Sequence, residues 1–127
     1  MGDPLSRFSP LFYAAAAYNL GWGLTIVVAS STIAWQVVGM FVFVYAPAYW
    51  WTARRPSQHA DLVAIGTLGK VLGTIGFAWA AASGRLPVAF GLTIFTNDIV
   101  WLPGFALYLR AAARLNDAAT RNGRLSE

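Results

Sequence analysis

The chain has 127 residues, enough for one domain. Apolar residues make up 57% of it and charged residues only 11%, well under the roughly 25% of ordinary soluble domains, which excludes a water-soluble globule. The net charge of +4 comes from residues that flank apolar stretches instead of forming a basic face, which excludes nucleic-acid binding, and the absence of cysteine excludes disulfides, zinc–thiolate clusters and thiol chemistry.

Residues 1–10 form a short polar lead containing Arg7. Residues 11–29 give the first span, just long enough for the hydrocarbon core. Its length and the polar Asn19 argue against a cleaved signal peptide, although Ala29, Ser30 and Ser31 would suit a cleavage site. After the turn Ser30-Ser31-Thr32 comes a second span, 33–53, with Pro47 inside it. The most polar connection runs from Arg54 to Asp61. The third span is 62–82, and a tight turn containing Gly84 and Pro87 leads to the fourth, 88–109, with Pro103 near its end. Residues 110–127 are a basic tail, expected to be helical as far as Asn122, with Arg110/Arg114 and Asp117/Arg121 spaced one turn apart. No span has a polar face, so the predicted fold is all-α: a single membrane domain, a four-transmembrane-helix bundle with a short basic C-terminal helix.

Orientation follows from the basic residues. Arg7, Arg54, Arg55, Arg110, Arg114, Arg121 and Arg124 fall on one side, and Arg85 on the other. Both termini and the middle loop are therefore expected in the cytoplasm, with the chain in a bacterial inner membrane. Phe12, Tyr13, Tyr49, Trp50, Trp51 and Tyr108 read as an aromatic belt at the cytoplasmic surface, Trp35 and Trp79 as anchors at the other. The expected partners are the lipid bilayer and either a second copy or a partner membrane subunit.

Gly66, Gly69, Gly73 and Gly76 share one face of the third span, which predicts a groove for the close backbone crossing of another helix. Gly23, in the first span, is expected to matter less. Lys70 stands beside the groove near mid-span, where an ammonium needs a partner inside the protein. Asn19 and Lys70 each lie roughly 12 Å from the cytoplasmic ends of their spans, and Asp98 lies roughly 16 Å in, with Asn97 next to it. The tight turn makes the third and fourth spans antiparallel neighbours, so Lys70 and Asp98 are the expected ion pair. Tyr18, Trp22 and Trp101 are candidate lining for this polar centre. Pro47 and Pro103 are expected to free the carbonyls of Phe43 and Ile99. The centre reads either as a clamp fixing helix register or as a proton, ion or substrate site.

In the middle loop, Arg54, Arg55 and His59 are candidate contacts for a lipid headgroup; the alternative is a solvated loop that sets topology. One histidine cannot build a metal site or a bis-histidine haem site, and no cofactor is expected. The serine-hydrolase elbow, the zinc-protease helix motif and the phosphate loop are all absent, which favours a non-enzymatic role.

Three segments carry a resemblance: Tyr18-Asn19-Leu20-Gly21-Trp22-Gly23, Gly66-Thr67-Leu68-Gly69-Lys70, and the run from Asn97-Asp98 through Trp101-Leu102-Pro103 to Leu109. They resemble uncharacterised small four-helix bacterial membrane proteins over nearly the whole chain, which implies the fold and no transferable activity. In size and helix count the chain is also similar to the small multidrug resistance transporters. Those carry a glutamate in the first helix as the exchange site; here that helix has Asn19 and no acidic residue. The leading functional expectation is an accessory or interaction subunit whose glycine face packs a partner helix or a second copy. The alternative is a small proton- or ion-coupled transporter using Asp98 and Lys70. A lipid-modifying enzyme with Asp98 as acid/base is the third, and it lacks a second catalytic group.

The orientation is testable in a chain without native cysteine. Ser83→Cys is expected to react with an impermeant thiol reagent applied to intact cells, and Ser57→Cys only after the membrane is opened. The opposite labelling pattern would reverse the topology.

Overall fold

The computed structural model describes residues 2–124. The helices are α1 (Ser9–Ala29), α2 (Ile33–Arg54), α3 (Ala60–Ala82), α4 (Gly91–Asn97) and α5 (Leu102–Arg124), with 3-10 turns at Ser6–Phe8, Val88–Phe90 and Ile99–Trp101. Four helical stretches are long and apolar enough to cross a membrane: Ser6–Ala29, Ile33–Arg54, Ala60–Ala82 and Val88–Asn122. They mark a small multi-pass membrane protein. The basic tail is no separate helix, because α5 runs unbroken from the fourth span to Arg124. Residues 125–127 of the predicted tail lie outside the described residues.

Local chemistry places the helix ends. Pro10 sits in the first turn of α1, where no backbone donor is needed. Asp61 sits in the first turn of α3, where a carboxylate suits the positive end of the helix. α3 stops in a Schellman turn: Gly84 takes φ 67°, its N–H donates to Ala81 O and the Arg85 N–H to Ala80 O.

The closest helix crossing joins α1 to α2. A Cβ on Gly23 would lie 2.6 Å from the Phe43 backbone nitrogen, and one on Gly39 would lie 2.8 Å from the Gly23 carbonyl oxygen. The predicted backbone groove on α3 is not used in this way. Cβ atoms on Gly69 and Gly76 would meet nothing within 4 Å. Gly66 and Gly73 open instead onto side chains, the Tyr49 hydroxyl and the Asp98 carboxylate. Glycine spacing marks a face that permits close approach, but the neighbour that arrives is set by the other helices.

The apolar core lies at the end of the bundle that carries both termini. Phe12, Tyr49, Phe105 and Tyr108 are fully buried there with Leu5, Ala53 and Val63. Phe12 and Tyr108 meet edge to face with ring centroids 4.7 Å apart, and Tyr49 packs on Phe105 at 5.2 Å. The predicted aromatic belt is thus divided. Trp50 and Trp51 are exposed, whereas Phe12, Tyr49 and Tyr108 form the core. The Tyr108 hydroxyl donates to the Pro56 carbonyl, which gives the buried phenol its partner and ties α5 to the α2–α3 loop. Asp3 closes the same end, its Oδ2 accepting from the Ser57 amide at 3.1 Å and hydroxyl at 2.8 Å, its Oδ1 from the Leu5 amide at 2.8 Å. Burial would raise the Asp3 carboxyl; the bonds from Ser57 and Leu5 outweigh it and hold the group below its usual range.

The opposite end is looser. α4 has no buried residue, and those of α3 stop at Lys70. Contact between the two helix pairs there is made by Trp35 against Phe90, ring centroids 4.9 Å apart.

Gly23→Ala is therefore expected to destabilise the protein in detergent by roughly 1–3 kcal/mol, through overpacking against backbone that cannot move aside. Gly76→Ala, in open space on a helix, is expected to be neutral or to stabilise by up to about 1 kcal/mol. Equal thermal shifts for the two variants would contradict this packing.

Candidate functional site

The fourth span breaks at its polar residues. α4 ends at Asn97, Asp98 takes φ −119° and ψ −61°, and one 3-10 turn leads into α5. Pro103 is the second residue of α5. It has no N–H to give to Ile99 four residues back, so the chain just before it winds more tightly. The effect reaches further than the expected loss at Ile99. The Trp101 N–H bonds Asp98 O at 3.2 Å, three residues back, and leaves the Asn97 carbonyl without a helical donor. The Trp101 indole N–H takes the carbonyl of Thr96 at 3.0 Å.

Lys70 supplies what the break leaves open. It points from α3 across to α4, and its ammonium donates to the freed Asn97 carbonyl. Asp98 Oδ1 lies 3.5 Å from the same nitrogen. Both side chains are buried, each residue 6% exposed. An ion pair of this length is loose, since charge-assisted bonds usually close to about 2.7–2.9 Å. Asp98 Oδ1 also accepts from Asn97 Nδ2 at 2.9 Å. Two acceptors are left over: Asp98 Oδ2 receives no bond from a described residue, and Asn97 Oδ1 is buried without a partner.

Two cavities meet at this centre. One, of about 200 Å³, lies on the terminal side and is lined by Asn19, Tyr45, Tyr49 and Lys70. The other, of about 270 Å³, lies toward the α3–α4 turn and is lined by Trp22, Trp35, Phe77 and Phe90. Asn97 and Asp98 belong to the walls of both, and Lys70 to the first only. The helix break therefore sets the carboxylate between the two. Gly73 makes room for it, since a Cβ there would lie 3.1 Å from Asp98 Oδ2.

Lys70, Asn97 and Asp98 are thus brought together. Asn19 is at the edge: it lines the terminal-side cavity, but its amide donates to Ala15 O of its own helix at 2.7 Å and satisfies neither charge. Trp22 lines the turn-side cavity, while Tyr18 packs on Trp101 at 5.4 Å. Arg54, the last residue of α2, and the loop residues Arg55 and His59 lie at the terminal end, away from the centre, with both arginines exposed. Tyr49, expected in the cytoplasmic belt, lines the terminal-side cavity together with Tyr45, because an aromatic near a span end suits the interface and the core equally. Among the described residues no cluster of three metal-ligating side chains occurs.

Comparison of the chain with protein-family models, with curated proteins and with solved structures finds no match in any of the three.

The pair generates a double-mutant test. Lys70→Met and Asp98→Leu each strand a charge in low dielectric and are expected to cost roughly 3–5 kcal/mol, while the double variant recovers that charge cost and keeps only the roughly 1–3 kcal/mol of an Asn97 carbonyl without its donor. Denaturation of the four proteins in detergent measures it. Additive losses would mean that the two charges do not hold each other in place.

Proposed function

We propose that this chain is a small proton- or ion-coupled membrane carrier, with Asp98 as the exchangeable group and Lys70 as its resident counter-cation. Both termini face the cytoplasm of a bacterial inner membrane in this reading, as the arginine distribution requires. The observation that carries it is the position of Asp98 in the walls of both cavities, with one carboxylate oxygen free of donors from the described residues. A clamp that only fixed helix register would saturate both oxygens at short distance, because a buried pair offsets its desolvation only with good geometry and full hydrogen bonding. Here the ammonium is shared with a backbone carbonyl, so Asp98 can take a cation or proton on Oδ2 while Lys70 keeps a partner. Broken helices whose freed carbonyls face a charge are a recurring way to build such sites in membranes.

A second reading, the accessory subunit, is favoured by the outer face of α3. Leu68, Leu72, Ile75 and Trp79 are exposed there. That face takes either lipid or another helix.

Proteoliposomes loaded with a pH-sensitive dye separate the two. The carrier reading expects proton flux above that of empty vesicles. It expects the Lys70→Met/Asp98→Leu double variant to be folded and inactive. Wild-type vesicles no more permeable than empty ones would remove this reading and leave the accessory role.

A further inference from the structure

A second cluster of charge lies at the far end of the molecule, outside the lysine–aspartate centre. The 3-10 turn Ser6–Phe8 packs against α5 near residue 110, where the fourth span meets its basic extension. Arg7, Arg110 and Arg114 line a groove between them of about 360 Å³. Phe8, Leu107 and Ala111 complete its walls. A smaller groove of about 250 Å³ shares Arg7 and Arg114 and extends along Leu115.

Three features mark this groove as more than a solvated basic face. First, the charges converge from two elements. Arg110 and Arg114 lie one helical turn apart on α5, and Arg7 comes from the N-terminal segment. Second, no carboxylate among the described residues lies within ion-pair distance of them, and Asp117, one turn from Arg114, lines a different groove. Among the described residues the one ion pair is Lys70–Asp98, and the carboxylate of Asp3 is engaged with Ser57 and Leu5. Third, the groove is half apolar. Leu107 is 61% exposed one turn below Arg110, inside the fourth span 88–109 expected from the sequence. Arg7 lies over the Phe8 ring at 5.0 Å, which holds its guanidinium beside the groove.

We propose that this groove binds an anionic phospholipid of the surrounding leaflet, its phosphate against Arg7, Arg110 and Arg114 and an acyl chain along Leu107 and Phe8. The charge order along α5 fits that occupant. Apolar side chains come first and guanidinium groups follow within one turn, which is the order in which a lipid presents chain and phosphate across the interface. Arginine forks match phosphate oxygens in pairs, and the spacing from two elements lets them approach from two sides. The loop arginines Arg54 and Arg55 do not line this groove, which makes them the internal control.

The test is native mass spectrometry of the full purified chain, titrated with dioleoyl phosphatidylglycerol, with dioleoyl phosphatidylcholine, and with the first lipid in competition with inorganic phosphate. Phosphatidylglycerol is expected to bind in preference to phosphatidylcholine. Arg7→Gln, Arg110→Gln and Arg114→Gln are each expected to weaken it about fivefold, from about 1 kcal/mol per basic residue at a lipid surface. The Arg54→Gln/Arg55→Gln double variant should leave it unchanged. Leu107→Gln should weaken it too, and millimolar phosphate should not displace it. All three groove arginines are exposed, so their loss leaves the fold intact, and an unchanged melting temperature checks this. Equal binding of the two lipids, an equal loss in the loop control, or displacement by free phosphate would each overturn the site.

Discussion

The bond from the Lys70 ammonium to the Asn97 carbonyl is the interaction on which the rest of this structure depends. A carbonyl released from its helix at membrane depth has no water to accept from, and an ammonium there has none to donate to. Each supplies what the other lacks. The bond also holds α3 against the break between α4 and α5, where few apolar contacts do so. Because the ammonium is divided between a carbonyl and a carboxylate, Asp98 is held in place without being fully used. Among the described residues, that leaves Asp98 Oδ2 without a donor.

The two ends of the bundle are built on different physics. At the terminal end, Phe12, Tyr49, Phe105 and Tyr108 interlock, and Asp3 and Tyr108 tie the N-terminal lead and α5 to the α2–α3 loop. The α1–α2 pair is set by two glycines whose backbones touch. At the turn end, α3 and α4 carry no buried residue beyond Lys70, and one aromatic contact spans the gap. The turn-side cavity lies in this loosely packed half, on the α3–α4 side of the polar centre. Low local packing is the property expected of elements that open and close.

For a carrier, this arrangement means that one helix pair serves as scaffold and the broken span as the working part. The accessory reading uses the same scaffold and assigns the exposed face of α3 to a partner. The two readings place demands on different residues: the carrier on Asp98 and the walls it shares, the accessory role on the exposed side chains Leu68, Leu72, Ile75 and Trp79.

The four spans are legible in the residues alone, because length and the absence of a polar face leave no other stable environment. The Lys70–Asp98 pairing is legible there as well, because a tight turn makes the two helices neighbours and lone charges are untenable in lipid. Local chemistry also placed the α3–α4 turn, where Gly84 is the one residue with positive φ among the described residues. Only the tertiary structure decided which carbonyl the lysine takes. Pro103 announces a disturbance, but whether it appears at Ile99 or at Asn97 depends on which freed group finds a donor from another helix. Only packing decided that the intimate glycine crossing is Gly23 with Gly39 and not the regular stripe on α3. Glycine permits close approach; the bulk on the opposing helices selects where it happens. Tyr49 and Tyr108 make the same point. A tyrosine near a span end has an apolar body and a polar tip, and it goes to the core once a buried acceptor such as the Pro56 carbonyl is within reach.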